Sequence, residues 1–182
     1  SLQRKTTGEL ERLRELKMNT LYIGLETGDD ELLHLVKKNE TTDQMVEAVN
    51  RTQALGFKCS VMALLGLGGQ GRSRGHAIKT AEVLSRMNPR FLATLRFVEV
   101  QGTTMFADYR GLTEYQAVAE LKMILEHLEL SGTVFTANHA SNPIPLKGRL
   151  PHDKKRLLAD VNAILDSGML DTNGPGNVPM WL

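Results

Sequence analysis

The chain has 182 residues, of which 41% are hydrophobic and 24% charged, and its formal net charge is +1. These values are typical of a globular protein with one sizeable core, and they give no electrostatic argument for binding nucleic acid or an anionic membrane. No apolar run approaches the roughly 20 residues of a membrane span, and no secretory signal opens the sequence, so we expect a cytoplasmic protein. The single cysteine, Cys59, excludes an internal disulfide and a multi-cysteine metal site built by this chain alone.

Strands and helices are predicted to alternate along the chain. Short apolar runs predict four strands, at 21–25, 57–67, 91–100 and 133–137. Apolar residues at helical spacing predict helices over 7–17, 30–38, 42–55, 76–87, 114–131 and from 151 onward. We therefore predict an α/β fold, an open partial (β/α) barrel of about four mainly parallel strands with helices on the outer face. Residues 1–168 are expected to form this unit, and 169–182 a loose C-terminal tail.

The first predicted strand ends in a carboxylate followed by a turn. It is the stretch 21–30, Leu-Tyr-Ile-Gly-Leu-Glu-Thr-Gly-Asp-Asp, in which Glu26 and Gly28 follow the apolar run. Because the carboxyl ends of parallel strands face the crevice where α/β proteins bind ligands, Glu26 is a candidate ligand contact. The alternative is that Gly28 only allows the turn and that Glu26 is solvated.

Polar residues also follow the other predicted strands. The glycine-rich stretch 66–75 is predicted to be a loop that offers backbone amides together with Arg72, Arg74 and His76. It lacks the Lys-Ser/Thr of a nucleotide P-loop and the spacing of the dinucleotide fingerprint, so a flexible surface loop is the alternative. His139, in the run Asn-His-Ala-Ser-Asn at 138–142, is either a substrate contact or a structural histidine that bridges nearby side chains.

These motifs, in this order, resemble the later strands of a radical S-adenosylmethionine (radical SAM) enzyme with an elongator-like or coproporphyrinogen-oxidase-like core. The resemblance rests on 21–33, Lys37-Lys38-Asn39, the Leu-Leu-Gly-Leu-Gly-Gly run at 64–69 and the Gln-Gly-Thr turn at 101–103, and it covers roughly residues 7–104. It implies a partial barrel of alternating strands and helices. The 138–142 run is similar to an extension found in one subset of these proteins.

The resemblance also implies roles for individual residues. The segment 26–28 would hold the amino-acid or ribose part of the cofactor, 65–67 would lie near its adenine, and an arginine would meet its carboxylate. The implied cofactor-binding residues are Glu26, Thr27, Gly28, Leu65, Gly66, Leu67 and Arg74. The sequence departs from the family pattern G-x-I-x-G-x-x-E, because Met62 and Gly69 stand at its first and last positions.

A second group of residues is placed on the substrate side of the implied site. These residues follow the third and fourth predicted strands, the latter farthest along the sheet from Glu26, and four polar side chains within five residues are more than a turn needs. The substrate-side candidates are Gln101, Asn138, His139, Ser141 and Asn142. The alternative for the 138–142 group is a hydrogen-bonded corner that fixes the following proline-rich stretch.

The family binds a [4Fe–4S] cluster through a C-x3-C-x2-C motif, which this sequence does not contain. The resemblance therefore implies that the chain is the C-terminal part of a longer oxidoreductase-like enzyme whose N-terminal half carries the cluster. That enzyme would cleave S-adenosylmethionine reductively to a 5′-deoxyadenosyl radical that acts on an unknown small-molecule substrate. This chain alone is expected to hold no metal, to catalyse nothing and to bind the cofactor weakly or not at all.

Two further interpretations stay open at this point. One is an unrelated α/β small-molecule domain whose glycine loop binds phosphate, and the other is an interaction module without radical chemistry. A C-x3-C-x2-C motif about 90 to 150 residues before Glu26 in the natural reading frame would favour the radical SAM interpretation. The first strand is expected to leave an open apolar edge, through which the chain could self-associate.

Overall fold

A computed structural model describes residues 2–99 and 105–176. The strands are β1 Thr20–Glu26, β2 Lys58–Leu65, β3 Phe91–Arg96, β4 Thr133–Thr136 and β5 Lys147–Leu150. After a short 3-10 helix at Leu2–Arg4, the α-helices are α1 Thr7–Glu15, α2 Asp30–Leu35, α3 Thr42–Ala54, α4 Gly69–Met87, α5 Glu114–His127 and α6 Lys154–Asp166. None of the helices in these two stretches is long and apolar enough to cross a membrane.

The strands form one sheet in the order β1-β2-β3-β4-β5. The first four are parallel, and β5 is antiparallel to β4. Because each parallel strand pairs with the next along the chain and such crossovers share one hand, the connecting helices lie on one face, where α3, α4, α5 and α6 contact one another in turn. The predicted α/β class is confirmed, and the open, mostly parallel sheet is consistent with a partial barrel.

The fifth strand corrects the prediction of about four strands. None of the four predicted strands falls in the proline-rich stretch after residue 142, but 147–150 pairs with β4 along its whole length. Helix α6 packs directly over this strand, since a Cβ on Gly148 would lie 3.0 Å from atoms of Asp153 and Leu157. Packing against α6 therefore allows this short segment to form a strand, although its sequence has no apolar alternation.

The glycine-rich stretch 66–75 was predicted to be a loop, but most of it is helical. Only 66–68 form a turn, and α4 begins at Gly69, seven residues earlier than predicted. Gly71 and Gly75 lie inside the helix, where a Cβ on either would have no atom within 4 Å. The helix forms despite their low propensity because its opposite face, which includes His76 and Ala77, is buried.

The two faces of the sheet differ in their surroundings. On β2, alternate residues such as Cys59 and Val61 are fully buried under the helices. The residues between them, such as Met62 and Leu64, point to the opposite face and are only half-buried. We call this opposite face the open face. It corresponds to the interior of a barrel, and any ligand bound at the strand ends can reach it.

The segment after α6 returns to the start of α5. The Asp171 amide donates to Glu114 Oε2 at 2.9 Å, and the Glu114 and Tyr115 amides donate to the carbonyl oxygens of Gly174 and Asp171. The part of the predicted loose tail that reaches residue 174 is therefore bonded to a helix N-terminus. The domain division at residue 168 stays a prediction, and 177–182 lie outside the described residues.

Candidate functional site

Glu26 ends β1 in an unusual backbone conformation. Its φ is 66°, in the left-handed region, which costs a residue other than glycine about 1–2 kcal/mol. The pairing of β1 with β2 shifts register between Gly24 and Glu26. The side chain folds back across Gly24, where a Cβ would lie only 2.0 Å from Glu26 Oε1. The bulge and the missing side chain of Gly24 together place the carboxylate over the open face.

Lys38 lies beside this carboxylate and was not singled out as a site residue from the sequence. Its Nζ is 3.4 Å from Glu26 Oε1 and also donates a hydrogen bond to the Gly24 carbonyl oxygen. Both charged side chains are roughly a quarter exposed. The edge of β1 thus presents one carboxylate and one ammonium group side by side, an arrangement that suits the two opposite charges of an amino-acid ligand.

Thr27 and Gly28 lie beneath this edge and face α4. The Gly28 amide donates to Thr80 Oγ1 at 2.9 Å, and a Cβ on Gly28 would be 2.3 Å from the Lys79 carbonyl oxygen. Thr27 is fully buried, and its Oγ1 lies 2.8 Å from His76 Nδ1. Of the three neighbouring residues predicted to contact the cofactor, only Glu26 faces the open side of the sheet, and the other two join the strand to the helix.

The turn after β2 is built around Gly66, whose φ is 81°. Its amide donates to Glu120 Oε1 at 2.6 Å, and its carbonyl oxygen accepts hydrogen bonds from the Tyr109 hydroxyl and the Gly69 amide. Both backbone polar groups of Gly66 are therefore occupied. The neighbouring predicted residues, Leu65 and Leu67, are buried. This turn shapes the site rather than offering a free amide to a ligand.

His76 and Glu120 form a buried pair between the two strand ends. Both are fully buried, and His76 Nε2 lies 2.9 Å from the Leu64 carbonyl oxygen and 3.5 Å from Glu120 Oε1. Glu120 Oε2 accepts a hydrogen bond from the Ser73 hydroxyl at 2.5 Å. Sequence analysis missed Glu120. The available signal was its position on the apolar stripe of α5, with Ala117 and Leu121 on the same buried face.

The surroundings of Glu120 act on its pKa in opposite directions. Burial raises the pKa, while His76 and the hydrogen bonds from Ser73 and Gly66 lower it, and the net direction is upward from 4.5. An acid whose pKa is raised in the folded state stabilises the fold below its unfolded pKa and loses that contribution as pH rises through the folded value. The folded state therefore favours the neutral carboxyl group.

We expect Glu120→Gln to gain stability relative to the wild type as pH rises. The glutamine stays neutral, so it avoids the cost of charging a buried carboxyl group above about pH 4.5. Urea unfolding of both proteins at pH 5 and pH 8 checks this. The matched control is Glu126→Gln, because that carboxylate lies on the same helix but is exposed. A stability difference for Glu120→Gln that is the same at both pH values would contradict the expected direction.

Arg74 does not join the Glu26 edge. It lies on α4 with an exposed side chain, and in the described part of the chain no hydrogen bond or ion pair joins it to Glu26 or Gly66. Arg72, also considered for this stretch, pairs with Glu31 at 2.9 Å. Lys38 is thus the cation found next to the Glu26 carboxylate, and Arg74 as a cofactor contact stays a prediction.

The 138–142 run forms a corner at the end of β4. Ser141 Oγ accepts a hydrogen bond from the Arg96 amide at 3.1 Å and lies 2.8 Å from His139 Nδ1. Asn142 Nδ2 donates to the Thr94 carbonyl oxygen at 2.8 Å. Ser141 and Asn142 therefore tie the corner to β3, as the structural alternative predicted. The side chains of Asn138 and His139 are exposed, and Gln101 lies outside the described residues.

Ser141→Ala is expected to destabilise the chain by about 1–3 kcal/mol, because it leaves the buried Arg96 amide without an acceptor. His139→Ala should cost under 1 kcal/mol, since the imidazole that accepts the hydrogen bond of the Ser141 amide is exposed and water can take its place. Urea unfolding of the two variants measures the difference. Equal losses would mean that the imidazole, rather than the serine hydroxyl, holds the corner.

The chain does not supply ligands for an iron–sulfur cluster. Its one cysteine, Cys59, is fully buried in the helix-covered core, and burial raises the pKa of its thiol to about 11. Within residues 2–99 and 105–176, no group of three or more His, Cys, Asp or Glu side chains could hold a metal ion. A [4Fe–4S] cluster, which is held by several cysteine thiolates, therefore does not fit a chain with one cysteine.

A family comparison covers the site described above. The model of the radical SAM superfamily matches residues 4–81, which include the Glu26 edge, β2 and the start of α4. The resemblance noted in the sequence is thereby confirmed. No curated protein matches the chain.

The fold of the radical SAM segment and its extension also has a solved counterpart. The chain is similar to an archaeal Elp3 from Methanocaldococcus infernus with an N-terminal deletion, with a TM-score of 0.59 and 13% sequence identity. The match covers 93% of this chain and 41% of the Elp3 chain. At this identity the similarity concerns the fold, which extends beyond residue 81 to include the later strands and helices.

Proposed function

We propose that this chain is the S-adenosylmethionine-binding part of a radical SAM enzyme. The observation that carries the proposal is the Glu26–Lys38 pair at the end of β1, inside the segment that matches the superfamily. Glu26 would bind the ammonium group of the amino-acid moiety of the cofactor, and Lys38 its carboxylate. A left-handed backbone kept at a strand end is itself typical of ligand-binding positions.

The open face supports the placement of the rest of the cofactor. Leu64 and Leu95 are neighbours on β2 and β3, with side chains on the open face, and Met62 lies on the same face of β2. Half-buried apolar side chains of this kind suit a flat aromatic ring such as adenine. Reductive cleavage of S-adenosylmethionine to a 5′-deoxyadenosyl radical is the chemistry that the superfamily would supply at this site.

We further propose that the iron–sulfur cluster is held by an earlier part of the same polypeptide. The chain spans 41% of the length of the Elp3 chain that it matches. The free edge of β1, where Tyr22 is 76% exposed, would accept the strands of that part. This chain alone would then lack catalytic activity. In the absence of the earlier part, the same edge of β1 would be open to pairing with a second copy of the chain.

The phosphate-binding alternative is less well supported by the start of α4. Anion sites at helix N-termini need free amides, but the Gly69 amide donates to the Gly66 carbonyl oxygen and the Gln70 amide donates to the Arg110 carbonyl oxygen. The Gly66 amide is bound by Glu120. The amides of Gly66, Gly69 and Gln70 are therefore already occupied.

A titration of the 15N-labelled chain with S-adenosyl-L-homocysteine tests the proposal. Because the cluster is absent, we expect weak binding, with a dissociation constant of about 1–10 mM. Amide shifts should change at Gly24, Glu26 and Lys38, and Glu26→Gln should remove these changes. Adenosine, which lacks the amino-acid moiety, is the control ligand and should leave Lys38 unaffected. No change at β1 at about 10 mM ligand, or changes confined to another surface, would contradict the proposal.

A further inference from the structure

A set of buried hydrogen bonds, with one close polar contact between His76 and Glu120, connects the two strand ends of the proposed cofactor site. We call Thr27, His76, Glu120 and Ser73 the rim clamp. At one end of the clamp, Thr27 Oγ1 meets His76 Nδ1 at 2.8 Å. At the other end, Glu120 Oε1 accepts the Gly66 amide at 2.6 Å, and the two halves meet where His76 Nε2 lies 3.5 Å from Glu120 Oε1.

The clamp acts on backbone positions beyond the last β1–β2 pair of the sheet ladder, which is Glu26 with Ala63. Thr27 follows β1 and Gly66 lies in the turn after β2, and the clamp links them through His76 of α4 and Glu120 of α5. His76 also lies 2.9 Å from the Leu64 carbonyl oxygen. His76 therefore contacts the segment after β1, Glu120 holds the turn after β2, and Ser73 bonds to Glu120.

The members of the clamp do not reach the open face themselves. Thr27, His76 and Glu120 are all fully buried on the helix-covered side of the sheet. A buried polar set of this kind contributes less to stability than apolar side chains of the same volume would, because its groups must be desolvated. What it supplies is a fixed geometry, because its buried donors and acceptors lose their partners when the two segments move apart.

We propose that Glu120 and His76 are positioning residues that hold the Glu26 edge and the Gly66 turn at the separation needed to bind both ends of one cofactor molecule. This inference rests on the proposed function. The two residues act through Thr27 and Gly66 and do not touch the ligand. Loss of the clamp should therefore reduce ligand affinity by more than the accompanying loss of stability explains.

Three variants of α5 separate positioning from simple stabilisation. Glu120→Ala removes the acceptor of the Gly66 amide, whereas Glu120→Gln keeps an acceptor oxygen at the same place. Leu125→Ala is the matched control. It leaves a cavity in the hydrophobic core beside the same helix, five residues beyond Glu120. An apolar leucine side chain makes no hydrogen bond to the strand ends. Thr27→Val tests the other end of the clamp and keeps the shape of the side chain.

Amide hydrogen exchange and affinity for S-adenosyl-L-homocysteine are measured for each variant. In Glu120→Ala, the Gly66 amide should exchange about tenfold faster or more, relative to the core amide of Val61, and affinity should fall by about tenfold. Glu120→Gln should restore both quantities to within about threefold of the wild type. Thr27→Val should weaken binding in the same way as Glu120→Ala, so the inference can be decided even if Glu120→Ala fails to fold.

The Leu125→Ala control distinguishes positioning of the ligand site from general stabilisation of the fold. In Leu125→Ala, exchange at Gly66 and Val61 should accelerate together, with ligand affinity unchanged. If Glu120→Ala behaves like Leu125→Ala in both measurements, or if Glu120→Gln fails to restore binding, the clamp is only structural and the inference is overturned. If the wild-type chain shows no ligand-induced change at β1, the proposed function is contradicted. The exchange rate of the Gly66 amide in Glu120→Ala then still shows whether Glu120 holds the Gly66 turn.

Discussion

Replacing Glu26 by alanine in an enzyme that contains both this chain and its cluster-binding part is expected to weaken S-adenosylmethionine binding about ten- to hundredfold. A charge-assisted hydrogen bond is worth about 1.5–3 kcal/mol, which is this change in affinity. Folding should be affected less, because the carboxylate is partly exposed and its backbone is in a strained conformation that alanine does not worsen. Equilibrium binding and thermal unfolding, measured on the same preparations, check both parts.

A nearby carboxylate provides the control for this prediction. Glu31 lies in α2, five residues further on, pairs with Arg72 at the surface, and is 64% exposed. Glu31→Ala should leave cofactor affinity within about twofold of the wild type, because exposed ion pairs contribute little. If Glu26→Ala binds the cofactor as tightly as Glu31→Ala does, Glu26 is a turn residue only.

Gly28→Ala is expected to cause the largest loss of stability among the substitutions considered. The added Cβ would lie 2.3 Å from the Lys79 carbonyl oxygen and 2.6 Å from Thr80 Cα, both of them backbone atoms of α4. A helix backbone cannot rotate away as a side chain can, so α4 or the end of β1 must shift. We expect a cost of about 3 kcal/mol or more, and a fall in melting temperature of about 6–12 °C.

Gly75→Ala is the matched control and should change stability in the opposite direction. Gly75 lies inside α4, on its exposed side, and an added Cβ would have no atom within 4 Å. Alanine in a helix interior is favoured over glycine by about 0.5–1 kcal/mol. Urea unfolding of both variants measures the contrast. A destabilised Gly75→Ala would indicate that 69–75 is the loop that the glycine content predicted.

Local signals in the sequence predicted most of the parallel part of the fold. Continuous apolar runs such as 61–65 are typical of strands covered by helices, and β2 is such a strand. Thr41 and Thr113 are each followed three residues later by a glutamine, which is the local pattern of a capping box, and both boxes are present at the starts of α3 and α5. These features need only the few residues around them, so they could be found without knowledge of the fold.

The elements that were missed depend on contacts between distant parts of the chain. The strand β5 has no apolar alternation of its own and forms between β4 and α6. Likewise, the first turns of α4 contain glycines that favour a loop, and packing of the opposite face overrides that preference. In both cases tertiary packing decided the structure, and local composition indicated the wrong state.

In the candidate site, too, features set by neighbouring residues could be predicted and contacts between distant residues could not. The position of Glu26 at a strand end could be predicted, because a strand followed by a turn is a local pattern. The contacts that complete the site could not be predicted, because they join residues far apart in the sequence. The Gly66 amide donates to Glu120, 54 residues away, and the Gly24 carbonyl oxygen accepts from Lys38, 14 residues away. The bonds of the 138–142 corner to Arg96 and Thr94 likewise depend on the neighbouring strand.

Formation of 5′-deoxyadenosine is the most direct test of the proposal that this chain belongs to a working radical SAM site. The protein encoded by the complete natural reading frame would be reconstituted with iron and sulfide, reduced, and supplied with S-adenosylmethionine without substrate. We expect 5′-deoxyadenosine to form in the wild type and to fall about tenfold or more in Glu26→Ala at limiting cofactor. Absence of 5′-deoxyadenosine from a wild-type protein with a fully loaded [4Fe–4S] cluster would contradict the proposal.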